Sequence, residues 1–147
     1  MSDMYAIATA LAGRFAAAQV TPPATYQNIR TATAAPPNAM PVRPAVIVFP
    51  ESGDFQTGNG TRIGGHDFLV RFYFNEAGDI ARDQVALLKW LTVLADQLKI
   101  SVQLGGAVTS ARVMGWKIGT MTYGKKEYSG LELNVHIVTT EAWAAVA

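Results

Sequence analysis

Two histidines, His66 and His136, are the side chains best suited to proton transfer or metal ligation near neutral pH. Neither belongs to an HExxH pair, and the chain has no cysteine to complete a zinc set. His136 falls on the polar side of an alternating stretch, and His66 falls in a glycine-rich stretch that reads as a loop. Asp67, beside His66, reads as solvated surface. Glycines 58, 60, 64 and 65 in GNGTRIGG lack the GxGxxG spacing, a following GK[ST] and a following helix. They read as loop punctuation rather than a phosphate cradle. Ser52, Ser101, Ser110 and Ser129 stand outside any GxSxG elbow. The expectation is therefore a protein with no catalytic residues, no metal and no cofactor.

One cluster could bind rather than react. Lys125 and Lys126 lie between Tyr123 and Tyr128, as a solvated hairpin tip or as a contact to nucleic acid or an acidic neighbour. The three tryptophans, Trp90, Trp116 and Trp143, read as core or interface anchors. With 12 basic and 11 acidic residues the net charge is +1, which gives no electrostatic ground for general nucleic-acid binding. Half of the 147 residues are hydrophobic, enough for one domain with a core. No apolar run reaches the ~18–20 residues of a membrane span. The apolar N-terminus lacks the basic start of a signal peptide.

The element that must position everything else is a helix from Asp79 to Lys99. Ile80, Leu87, Leu88, Leu91, Leu94, Ala95 and Leu98 recur at three- and four-residue steps, while Arg82, Asp83, Lys89, Asp96 and Lys99 fall mostly opposite. Asp79 suits the N-cap. A second, Ala-rich helix is expected over 3–19, with Tyr5, Ala8, Leu11, Ala12 and Phe15 on its apolar side. Residues 20–44 hold six of the seven prolines. They read as a connection containing a short strand near Tyr26–Thr31, and as either an arm on a neighbouring subunit or a linker.

Strands are expected at 45–49 (AVIVF), 68–74 (FLVRFYF), 107–118, 119–123 and 130–138 (GLELNVHIV), with 51–67 a long loop or irregular hairpin tip. Gly119 is expected to turn between two strands, Gly115 to mark a bulge, and Gly124–Glu127 to form a hairpin tip. Phe68, Val70, Phe72 and Phe74 should face one way, as should Leu131, Leu133, Val135 and Ile137. The fold class that follows is α+β: a mainly antiparallel sheet packed against a central amphipathic helix and an N-terminal helix, with long loops, in a single domain. The three strands after the helix should form a meander.

The order of these segments resembles the tail terminator proteins of long-tailed bacteriophages, of the minor tail protein U type, and related tail-completion proteins. The resemblance rests on the Ala-rich helix at 3–19, the Pro-rich crossing, PAVIVFPESGDF, HDFLVRFYFN, the helix ARDQVALLKWLTVLADQL and the closing ARVMGWKIGTMTYGKKEYSGLELNVHIVTTE. It covers most of the chain and is one of layout, with no signature residue. It implies a virion structural protein of the neck, assembled in the host cytoplasm. Its copies would form a homohexameric ring that stops polymerisation of the tail tube protein and offers a surface to a head-completion or connector protein. DNA would only pass through the lumen, and no membrane would be involved. Subunit or partner contacts are then expected at Arg30, Arg43, Phe55, Arg62, Tyr123, Lys125, Lys126 and Tyr128. Another tail or neck subunit, or a small α+β ligand-binding or enzymatic domain, are the alternatives.

Overall fold

A computed structural model describes residues 4–19, 28–58, 60–76, 80–100 and 102–142. The fold is α+β. Helix α1 (Met4–Ala16) is followed by strands β1 (Thr31–Thr33), β2 (Ala45–Gly58) and β3 (Thr61–Glu76). Helix α2 (Ile80–Ile100), a 3-10 turn at Leu104–Gly106, and strands β4 (Ser110–Tyr123) and β5 (Lys126–Ala142) complete the order. One five-stranded sheet runs β1-β2-β3-β5-β4, antiparallel throughout except for the parallel β1–β2 pair.

The core fills one face of this sheet. Val46, Val48, Phe68, Val70, Phe72, Phe74, Leu131, Leu133, Val135 and Ile137 are buried beneath both helices. The expected inward sets of β3 and β5 are therefore the observed ones. Helix α2 buries Leu87, Trp90, Leu94 and Leu98 at three- and four-residue steps. Each such side chain contributes about 1.5–3 kcal/mol when fully buried. Trp90 is the centre of the stripe, its ring 4.9 Å from that of Phe72. Leu88, expected inward, is exposed, because the stripe follows 87, 90, 94 and 98 and leaves 88 rotated away. Asp83, expected outward, is buried and accepts hydrogen bonds from Ser129 Oγ (2.7 Å) and Asn75 Nδ2 (3.2 Å). These donors replace the water the carboxylate loses.

Helix α1 buries Ile7, Ala8, Leu11, Ala12 and Phe15, while Tyr5 is exposed rather than part of the stripe. Its last turn tightens through Ala18 N–H donating to Phe15 O (3.0 Å). Arg14 Nη2 donates to Gln97 Oε1 (2.7 Å), tying α1 to α2. Asp79 and Trp143 lie outside the described residues, as do 20–27 with Tyr26 and Gln27 of the strand expected near Tyr26–Thr31; of its described part only Thr31 is in a strand, Thr31–Thr33.

Three further expectations are corrected. Of the two readings of 51–67 the loop is overturned and the irregular hairpin is observed, as paired strand: β2 and β3 stay paired from Ala45↔Tyr73 out to Gly58↔Thr61, with a register shift between Pro50 and Ser52 and Gly60 at φ 74° in the turn. Its glycines read as loop residues, yet two of them make room for a ring (below). Gly119 does not turn the chain; it pairs with Gly130 inside one continuous β4. The strands after α2 are not a plain meander, because β5 lies between β3 and β4. The β3–α2–β4 connection thus crosses over one face to leave a slot that the β4–β5 hairpin fills. The hairpin turns at Gly124–Lys125 within the expected Gly124–Glu127 tip, Lys126 and Glu127 being already strand, and the register shift between Val113 and Gly115 makes Met114 the extra residue of a bulge.

On the opposite face lies a smaller cluster, Ile47, Tyr73 and Tyr128, flanked by Met40, Phe49, Met121 and Tyr123. The Pro-rich stretch reaches both faces. Ala32 and Ala34 pack on the helix-side core, and Met40 packs on the tyrosines behind the sheet.

Candidate functional site

The eight residues expected to make contacts fall at two ends of the sheet. At the near end, where β2 and β5 begin and β4 finishes, the parallel register Thr31↔Ala45 sets Arg30 beside Pro44. Arg30 N–H donates to Pro44 O at 2.9 Å, which brings Arg30 next to Arg43 although 13 residues separate them. The Arg43–Pro44 peptide is cis. The Arg43 guanidinium lies over the Tyr128 ring, 5.1 Å from its centroid. Arg30, Arg43 and Tyr128 share one cleft of about 340 Å³ with Met40, Pro41, Val42, Phe74 and Asn75.

Tyr123 stands edge-on to Tyr73 (5.6 Å), Tyr128 does the same (5.9 Å), and the Tyr123 hydroxyl donates to Pro37 O. Burial pushes the phenols of Tyr73 and Tyr123 above their ordinary value, since a phenolate would lose its hydration there. Lys126 reaches Glu76 at 3.4 Å, and Lys125 is exposed in the turn. Both lysines are thus exposed, whereas Tyr128 is buried and Tyr123 half-buried behind the sheet.

At the far end the β2–β3 hairpin runs beyond the helices with β5 alongside it. Fourteen residues of β2 span about 45 Å. Phe55 is 50% exposed, and Arg62 lies across its ring at 4.5 Å from the centroid. Beside them sits His66, buried in β3 rather than in a loop. Its ring occupies space above Gly53 and Gly64. A Cβ on Gly53 would stand 2.6 Å from His66 Nδ1, and one on Gly64 would meet Nε2 and Thr139 Oγ1. The glycines are therefore a seat for the imidazole, a role that their count alone does not reveal. Phe55 meets the ring edge-on at 5.1 Å, and His66 Nε2 lies 3.3 Å from Thr139 Oγ1. Burial lowers the His66 pKa below 6.5, with Asp54 and Asp67 pulling the other way and His136 and Arg62 assisting.

His66 also lines an apolar cleft of about 460 Å³ with Met4, Tyr5, Ala8, Phe55 and Phe68. On the other face His136 Nδ1 and Asp67 Oδ1 are 2.9 Å apart and partly exposed. Among the described residues no three histidines, aspartates or glutamates gather as a metal site.

Sequence reasoning did not single out the β4 edge. Met114 and Trp116 stand there 68% and 57% exposed, on a strand paired on one side only among the described residues. The earlier signal is the poor alternation of ARVMGWK, which reflects the bulge. Trp90 proves to be a core anchor, and Trp116 is left uncovered. No described helix is long and apolar enough to cross a membrane. Compared with protein-family models and with curated proteins, the chain matches none.

Proposed function

We propose that this chain is a structural protein of the phage neck, a tail terminator whose copies close into a ring on the tail tube. The observation that carries the reading is a pair of open sheet edges that run in opposite directions. β4 is unpaired on its outer side, and β2 is paired by β1 only over Ala45–Ile47 among the described residues. Successive antiparallel pairs β2–β3, β3–β5 and β5–β4 make β2 and β4 antiparallel to each other. The β4 edge of one copy can therefore join the free length of β2 on the next without breaking the alternation. Such a head-to-tail contact repeats, and it gives a ring when the rotation closes and a filament when it does not.

Exposed Met114 and Trp116 at one edge, and Phe55 at the other, supply apolar surface of the kind that assembly covers. A net charge of +1 suits a lumen that lets DNA pass without gripping it. In this reading one rim matches the tail tube protein and stops its growth, and the other receives a head-completion or connector protein. No catalysis and no cofactor are required. The residues assigned to contacts remain Arg30, Arg43, Phe55, Arg62, Tyr123, Lys125, Lys126 and Tyr128, and the Met114–Trp116 edge joins them.

The test is light scattering at several concentrations with negative-stain imaging of the same sample, alone and beside tail tubes. A closed ring of about six copies, alone or on tube ends, is the expected result. Open fibres would indicate a tube protein. A monomer or dimer that never forms rings, even on tubes, overturns the neck reading. It would favour a small ligand-binding domain, for which the apolar cleft beside His66 is the observation to pursue.

A further inference from the structure

The near-end cleft combines two features that rarely meet without a ligand. Arg30 and Arg43 both line it, and among the described residues neither guanidinium has an ion-pair partner. Among the described residues the nearby acids are already engaged. Glu76 is held by Lys126, and buried Asp83 is held by Ser129 and Asn75. Met40, Pro41, Val42 and Phe74 add an apolar strip to a wall that is otherwise polar, with Val42 more than half exposed. Arg43 is held over the Tyr128 ring, and Arg30 is placed by its backbone bond to Pro44, so both cations start from positioned backbone.

We propose that this cleft binds an acidic peptide segment of a partner protein. A carboxylate would lie between the forks of Arg30 and Arg43, and the neighbouring apolar side chain would lie against Met40 and Val42. A guanidinium fork matches the two oxygens of a carboxylate, and two forks hold it more selectively than a lysine pair. A nucleic-acid backbone is the poorer fit. It needs a basic track, whereas this cleft offers two arginines beside a short apolar strip and the chain's charge is balanced. The inference does not depend on ring formation, since a monomer presents the same cleft.

The experiment is an NMR titration of the full 15N-labelled chain with three probes: N-acetyl-Asp-Phe-amide, N-acetyl-Asn-Phe-amide and inorganic phosphate. The Asp peptide should give saturable shifts at Arg30, Arg43 and Tyr128. The Asn peptide should bind at least about tenfold more weakly, because a charged hydrogen-bond pair is lost. Arg30→Gln, an exposed change that leaves the core untouched, should weaken the Asp peptide by about tenfold or more. Lys99→Gln should leave binding unchanged. Arg43→Lys, which keeps the charge and loses the fork, should weaken it to an intermediate degree. Equal binding of the Asp and Asn peptides overturns charge recognition. Phosphate binding as tightly as the peptide reassigns the cleft to a small oxyanion. Absence of shifts at these residues with any probe removes the site altogether.

Discussion

The two ends of the sheet are built from similar residues, an arginine over an aromatic ring in each, and they end up in opposite conditions. At the near end the Tyr128 ring beneath Arg43 belongs to a packed cluster, because the Pro-rich stretch brings Met40 against the tyrosines and Pro37 to the Tyr123 hydroxyl, while Arg43 itself stays half-buried on the cleft wall. At the far end Arg62 over Phe55 is the outermost layer, and half of Phe55 remains in water. The ring beneath the arginine is structure where a second segment covers it and available surface where none does. Solvent around an exposed pair also weakens the cation–π contribution, from about 2 kcal/mol when desolvated to about 0.5–1 kcal/mol.

This comparison can be broken most forcefully at Gly130. A Cβ there would run into the Phe72 carbonyl oxygen and the Met121 side chain. Gly130→Ala should cost about 3 kcal/mol or more in urea unfolding, because the obstacle is backbone. Gly119→Ala, directly across the ladder and with nothing near its Cβ, should change stability by no more than about 0.5 kcal/mol. Similar losses for the two would refute the packed near-end geometry.

Next in size is the pair of aromatic truncations. Tyr73→Ala removes a fully buried ring and should cost about 3–5 kcal/mol. Phe55→Ala should cost only about 1 kcal/mol or less in the monomer, yet it should reduce assembly measured by light scattering. If Phe55→Ala destabilises the monomer as much as Tyr73→Ala, the far end is packed and the contrast fails.

A smaller effect separates the ends by pH. The folded chain holds the His66 pKa below 6.5, so the unfolded state binds the proton more readily. Stability from this group is complete above pH 6.5 and is lost as the pH falls through the lowered folded value. Thermal melts should therefore fall between pH 7.5 and 5.5, and His66→Gln should flatten that slope. Asp54 and Asp67 moderate it. A wild-type slope unchanged by the substitution would mean that other groups set it.

The smallest effect belongs to Lys126→Ala. It removes an exposed contact to Glu76 and should move the unfolding midpoint barely at all, and less still in high salt. A clear loss would place the hairpin tip in the packed part of the near end.

The fold class was legible because its periods were clean. GLELNVHIV alternates and buries the expected leucines, valine and isoleucine, and α2 carries its stripe within one residue of the expected bounds. The β2–β3 extension was not legible, because Gly53, Gly64 and Gly65 are weak strand formers. Here Gly53 and Gly64 are strand residues for the sake of His66, a partner distant in space rather than in pattern. The strand expected to end at 49 continues through Pro50, because β2 is there an edge strand, a setting that tolerates proline. At the candidate site, residue types such as Arg43 and Tyr128 could be picked out as contacts. Their convergence with Arg30 could not, because it depends on a three-residue parallel ladder. Asp83 was placed outside for a related reason: a helical wheel assigns a face but cannot see Ser129 waiting 46 residues on.

The slot between β3 and β4 has a consequence for how the chain is made. β5 supplies the seam for both neighbours, and it is the last strand in chain order. A ribosome that has released everything through β4 has produced the three-stranded piece β1-β2-β3 and a lone β4 with no ladder to it. Long-range pairing of this kind slows folding, and here it must wait until Lys126–Ala142 has emerged. A nascent chain stalled before that point should remain sensitive to protease along β3 and β4, and resistance should appear in one step when the final strand is released.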